Sequence, residues 1–139
     1  MKQGSSKMRK LNRVTDADYR RLAHFRAALR RFLRFSETAA RDAGLSPSQH
    51  QLLLLVRGHS AGEPPSIVNL ADRLQIRHQS TVGLIDRCER AGLLRRRPDK
   101  VDRRKVRIEL TPKAERLLHK LTRVHLREIS DLRKSFPAA

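Results

Sequence analysis

From residue 16 onward the apolar and small positions follow a helical period: Leu22, Phe25, Leu29, Phe32, Leu33, Ser36 and Ala40 share one side, and arginines fill the other. Thr15 or Asp16 suits the N-cap and Gly44 a left-handed C-terminus, which predicts a helix of about 28 residues, roughly 42 Å long. That length exceeds what a small domain needs and points to a stripe that meets another chain. In "GLSPSQHQLLLLV", Ser46 is a natural N-cap, Pro47 takes the first helical position and Gln49 closes a capping box, so a short buried helix runs to about Arg57. After the loop "GHSAGEPPS", Ser66 caps "IVNLADRL", with Ile67, Leu70, Ala71 and Leu74 on one face. The link "QIR" leads to a helix from His78 to about Arg90, closed by Gly92. Thr81, Leu84, Ile85 and Cys88 point inward at i, i+3, i+4, i+7, leaving Gln79, Val82, Gly83, Asp86, Arg87 and Arg90 outward. A helix, a tight turn and a second helix with a polar exposed face predict a helix-turn-helix.

The period then changes to two. "LLRRR" begins a strand at Leu93-Leu94, Pro98 to Asp102 make a turn, and "RRKVRIEL" returns. Val106, Ile108 and Leu110 are expected inward, and Lys105, Arg107 and Glu109 outward, as in an antiparallel hairpin. Thr111-Pro112 starts a last long helix with Leu117, Leu118, Leu121, Val124 and Leu132 on its apolar side. The pattern is therefore mainly α with a small β-hairpin, without an internal repeat.

Charge changes the picture most. The 139 residues hold 32 Lys and Arg against 14 Asp and Glu, a net charge of +18. Solubility needs a net charge of only about 2–8, so the excess predicts a polyanionic partner, nucleic acid or an anionic membrane surface. "LLLLV" at 52–56 is the longest conspicuous apolar run, far from the roughly 20 residues of a membrane span. "MKQGSSKMRKLNRVT" has five cations and no acid but lacks an apolar segment, so it reads as a disordered basic arm over 1–15, not a secretory signal. The expected compartment is the cytoplasm.

The single cysteine, Cys88, excludes an internal disulfide framework and a Cys-rich metal site. A histidine metal site needs convergence with carboxylates, and His119 and His125 lie about 240° apart around a helix. No nucleophile-base motif, Gly-rich phosphate loop or paired-acid signature is present, so neither catalysis nor a cofactor is expected. Two readings of the charge remain: a sequence-specific regulator of double-stranded DNA, and a nonspecific architectural nucleic-acid-binding protein.

Four segments, "GLSPSQHQLLLLV", "NLADRLQI", "STVGLIDRCERAGLLRR" and "DRRKVRIELTPKA", fit in order and spacing the MarR (multiple antibiotic resistance regulator) family of winged helix-turn-helix repressors, which the chain resembles over about residues 16–135. The resemblance implies a triangular homodimer. A dimerisation helix over 16–44 and another over 111–139 would interlock, and 45–110 would be a winged helix-turn-helix DNA-binding domain. It also implies a pseudo-palindromic operator, with half-sites about one turn apart, roughly 34–36 Å.

In the recognition helix, Gln79 suits a bidentate bond to adenine, His78 a base or phosphate, and Val82 a thymine methyl. Ser80 and Arg87 suit phosphates, which set register. Many family members carry Thr-Arg where this chain has Val82-Gly83, and Gly83 costs roughly 1 kcal/mol relative to Ala inside a helix. In the wing, Arg104 matches the family arginine that enters the minor groove, where narrow grooves concentrate negative potential. Asp102 matches the acid that orients it, and Lys100, Arg103 and Lys105 would flank it on phosphates; alternatively Asp102 and Arg104 only stiffen the turn. Cysteine-based oxidant sensing occurs in the family, but Cys88 falls on the buried side of its helix, where a thiol acts as a small hydrophobe. By the same resemblance, Phe25, Phe32 and Phe35 with His50 or Arg57 would line a small-molecule effector pocket, unless the phenylalanines are dimer core.

Overall fold

Helix ends in this chain are set locally. Thr15 Oγ1 accepts the Asp18 N–H at 3.2 Å and the Asp18 carboxylate accepts the Thr15 N–H at 2.9 Å. The bond from the Thr15 N–H first, and a second from the Thr15 hydroxyl at 3.0 Å, hold the Asp18 carboxyl below its usual range. Ser46 and Gln49 repeat the device at 3.1 and 2.9 Å, and Ser66 Oγ accepts the Asn69 N–H at 3.1 Å. Each cap satisfies donors that an α-helix leaves unpaired at its start.

The computed structural model describes residues 13–59 and 63–134. Its elements are α1 (Asp16–Asp42), α2 (Pro47–Arg57), α3 (Ile67–Leu74), α4 (His78–Arg90), β1 (Leu94–Pro98), β2 (Val106–Leu110) and α5 (Pro112–Lys134). Through residue 12 the expected basic arm lies outside the described residues, and its last residue, Thr15, is the N-cap of α1.

The core is built where α2, α3 and α4 meet the hairpin and the start of α5. Leu52, Leu53, Leu70, Leu84, Ile85, Cys88, Leu93, Leu94, Ile108, Ala114, Leu118 and Leu121 form one buried cluster with Ala40 and Leu45. Each large aliphatic side chain there contributes about 1.5–3 kcal/mol by leaving water. Thr111 ties the hairpin to α5: its hydroxyl donates to Gly92 O at 2.6 Å and accepts the Ala114 N–H at 3.2 Å.

The long α1 buries little of itself. Ala28 and Ala40 are its only buried residues, while Tyr19, Leu22, Leu29 and Leu33 remain exposed along one stripe. On α5, Val124, Leu126 and Ile129 are exposed as well.

The hairpin corrects one expectation. Its strands pair antiparallel from Leu94 opposite Leu110 out to Pro98 opposite Val106. Ile108 is buried and Leu110 half-buried, but Val106 is 54% exposed. Alternation sets the face a side chain takes, not how far the core extends beneath it, and the distal end of the hairpin overhangs the core. Arg107, expected outward, is half-buried, with Nη1 3.9 Å from Asp99.

Candidate nucleic-acid interface

The α3–α4 turn depends on Gln75, whose φ of 58° is left-handed without a glycine. Its side-chain amide donates to Asp72 O at 2.6 Å, compensating the backbone conformation locally. The turn delivers α4 with Thr81, Leu84, Ile85 and Cys88 buried beneath it. Thr81 Oγ1 donates to Arg77 O at 3.0 Å, so even the polar member of that face is satisfied. Burial pushes the Cys88 thiol up to about 11, leaving no accessible thiolate. On the other face His78, Gln79, Ser80 and Arg87 are exposed, and Val82 and Gly83 are half-buried. Arg77, the N-cap, makes no side-chain cap hydrogen bond, unlike Thr15, Ser46 and Ser66.

A Cβ placed on Gly83 would meet only Arg87 Nη1, at 3.6 Å, an ordinary contact. Gly83→Ala is therefore expected to stabilise the chain by about 1 kcal/mol, because alanine loses less backbone entropy in a helix. A urea midpoint no higher than that of wild type would show that the backbone there needs glycine for another reason.

A clamp absent from the sequence reading joins α4 to the hairpin. Arg96 of β1 donates from Nη2 to Asp86 Oδ1 at 2.6 Å and from Nη1 to Glu89 Oε2 at 2.9 Å. The hydrogen bond to Asp86 is the largest influence raising the Arg96 pKa. Both acids of α4 thus share one guanidinium as their partner. The residues stand seven and ten positions apart across a turn, a spacing no helical or strand periodicity reveals.

The wing tip is braced by its own backbone. Asp99 N–H donates to Lys105 O at 2.9 Å and Lys105 N–H to Asp102 O at 3.0 Å. The Asp102 carboxylate accepts the Arg104 N–H at 3.1 Å, so it fixes the arginine's backbone. Lys100, Arg103, Arg104 and Lys105 stay exposed around this brace. On the strands, Arg97 lies 3.5 Å from Glu109.

The five residues expected around an effector do not converge. Phe32, Phe35 and His50 gather about His125, with ring centroids 6.0, 5.3 and 4.9 Å away. Phe25 is exposed, and Arg57 turns to Glu115 at 3.1 Å. The sequence reading missed His125 as a cluster centre. Its Nδ1–H donates to Leu121 O at 2.6 Å, and Nε2 hydrogen-bonds the Ser36 hydroxyl at 2.8 Å. Beside this cluster, a cleft of about 490 Å³ opens between α1 and α5, lined by Phe35, Ala39, Leu117, Leu121 and Val124 with Asp42 and Lys120 at its edges.

His50 is buried, and its Nδ1 has no hydrogen-bond partner. Desolvation first, and the neighbouring His125 second, lower its pKa. The folded chain therefore binds this proton less readily than the unfolded chain, whose imidazole titrates near 6.5. Stability from this group is complete above about pH 6.5 and declines as pH falls towards the folded-state pKa. His50→Phe should flatten that decline in urea midpoints measured between about pH 7 and 5; equal slopes for both proteins would assign the effect to other groups.

Residues 43–105, which run from the end of α1 through the wing tip, match the model of the MarR family. The HTH-type transcriptional regulator PecS of Dickeya dadantii (strain 3937) is 30% identical over 92 residues, 66% of this chain and 55% of that relative, so the match spans about half the relative's length. AbsC, a MarR family transcriptional regulator from Streptomyces coelicolor, superposes with a TM-score of 0.65 at 22% identity, over 90% of this chain and 82% of its own. A MepR variant from S. aureus bound to an oligodeoxyribonucleotide gives 0.64 at 21%, over 91% and 86%. CouR from Rhodococcus jostii RHA1 bound to p-coumaroyl-CoA gives 0.61 at 22%, over 78% and 86%. These structures share the fold from α1 to α5, and the MarR family model matches this chain over the helix-turn-helix, β1 and the wing tip.

Proposed function

We propose that this chain is a homodimeric, sequence-specific regulator of transcription that binds double-stranded DNA in the cytoplasm, acts as a repressor and works by binding, not catalysis. The observation that carries the reading is the Arg96 clamp. It joins the exposed face of α4 to the hairpin through Asp86 and Glu89, so a major-groove reader and a cationic wing form one unit. In this reading Gln79 takes a base edge, with His78 and Val82 beside it. Ser80 and Arg87 take phosphates, and Arg104 enters the minor groove between Lys100, Arg103 and Lys105. The start of α4 supports a phosphate contact, since no N-cap side chain accepts from its first N–H donors.

The exposed stripe of α1 and the apolar residues of α5 support a dimer that spaces two such units about 34–36 Å apart on a pseudo-palindrome. The apolar cleft between α1 and α5 supports a small-molecule effector bound against Phe35, and the ligand held by CouR supports the same idea by analogy. No helix among the described residues is long and apolar enough to cross a membrane.

Selection of bound fragments from genomic DNA, in excess random competitor, tests the reading. One enriched motif with two-fold symmetry is expected. Recovery without any motif would favour the alternative, an architectural protein that coats nucleic acid through its charge of +18.

A further inference from the structure

The reading head does not use most of the molecule's charge. Residues 78–107, which hold α4 and the wing, carry ten cations and four acids, a net of six of the chain's +18. Residues 20–34 of α1 carry six arginines, no lysine and no acid, an equal net charge on half the length. All six, Arg20, Arg21, Arg26, Arg30, Arg31 and Arg34, are exposed. Among the described residues the ion pairs engage Arg57, Arg96, Arg97, Arg107 and Lys134, and none of these six.

Helical geometry divides α1 into three sectors. Ala28, Phe32 and Phe35 face the rest of the chain, where α1 packs on α2 and α5. Tyr19, Leu22, Leu29 and Leu33 form the exposed apolar stripe. Arg20, Arg30, Arg31 and Arg34 fall in a third arc of about 100°, which they share with the small residues Ala23 and Ala27. A partner copy seated on the apolar stripe would leave this arc open to solvent.

The arrangement opposes helix stability. Arg26, Arg30 and Arg34 follow one another at i, i+4, where like charges repel, and the acids of α1 (Asp16, Asp18, Glu37 and Asp42) all lie outside the segment. A merely soluble helix face interleaves acids at that spacing. Arginine throughout also suits phosphate, which its planar fork binds in two places at once.

We propose that the arginine arc of α1 is a second nucleic-acid surface, which takes the phosphate backbone of a DNA duplex other than the one read by α4 and the wing. It rests on the proposed function only in assigning the first duplex to the reading head. Through it a dimer bound at one site holds a second stretch of DNA, without base readout and with steep dependence on salt.

The test loads the full-length protein onto bead-bound duplexes of about 30 base pairs, washes, and offers a fluorescent duplex of random sequence at low salt. Wild type is expected to load and to capture the second duplex. The variant Arg20→Gln, Arg30→Gln, Arg31→Gln, Arg34→Gln should load within about twofold yet capture at least tenfold less. The matching four-lysine variant should restore most of the capture. A thermal midpoint for the glutamine variant equal to or above wild type accompanies this outcome, because like charges have been removed.

Wild type that loads without capturing would overturn the second surface alone, whereas failure to load would overturn the DNA-binding reading as well. Undiminished capture by the glutamine variant would assign bridging to the two reading heads of the dimer and overturn the proposal. Binding of the loaded protein to phosphatidylglycerol vesicles in place of the duplex would overturn it in favour of a lipid surface.

Discussion

Arg104→Ala is expected to lower affinity for the selected operator at least tenfold and to reduce the slope of log affinity against log salt by about one. Each arginine that neutralises a phosphate-rich groove releases roughly one condensed counterion, so the slope counts its loss. Arg104, like the neighbouring Lys105, projects from a braced backbone. Its N–H is held by the Asp102 carboxylate at 3.1 Å while its guanidinium is exposed. Asp102→Ala should therefore weaken binding less than Arg104→Ala while leaving the salt slope close to wild type, since the cation stays but loses its anchor. Filter binding from about 50 to 200 mM salt reads both quantities. Operator affinity unchanged in Arg104→Ala would remove the wing tip from the interface.

The second large effect is expected at the other end of the molecule. Leu29→Glu with Leu33→Glu places two like charges on the exposed stripe of α1, which lies outside the core of the single chain. Sedimentation should then show a monomer, and operator affinity should fall by about a hundredfold or more. A second half-site engaged from a tethered partner sees an effective concentration in the millimolar range, and a monomer forfeits that gain. The thermal midpoint should also fall and lose its dependence on protein concentration, as linkage to a dissociating partner requires. A double variant that remains dimeric, with full affinity, would place the dimer contact elsewhere.

The features legible in the sequence are those governed by neighbours along the chain. Ser46, Pro47 and Gln49 announce the start of α2 because a capping box closes within four residues. Thr81, Leu84, Ile85 and Cys88 announce the buried side of α4 because one helix presents them together. Positions that depend on how elements pack escape that logic. Val106 alternates correctly yet lies beyond the edge of the core. Spacing relates His125 only to His119 on its own helix, while its partners Ser36 and His50 come from α1 and α2. Arg96 read as one more cation of "LLRRR", since charge alone does not say that Asp86 and Glu89 wait across the turn. For the expected effector residues, aromatic character is visible in the sequence but convergence is not: Phe32, Phe35 and His50 gather about His125, whereas Phe25 is 48% exposed and Arg57 pairs with Glu115.

The tie between Arg96, Asp86 and Glu89 sets a grammar for the DNA as well as a shape for the protein. A helix and a wing tied through one guanidinium are expected, on the proposed function, to meet their two targets at a preferred separation along the duplex. Moving a narrow A·T-rich step by a single base pair relative to the major-groove bases displaces it by about 3.4 Å along the axis. It also rotates the step around the duplex, beyond what a bidentate guanidinium clamp yields. On the proposed function, each half-site is therefore expected to behave as one word: substitutions within it should weaken binding letter by letter, whereas an insertion inside it should delete the word.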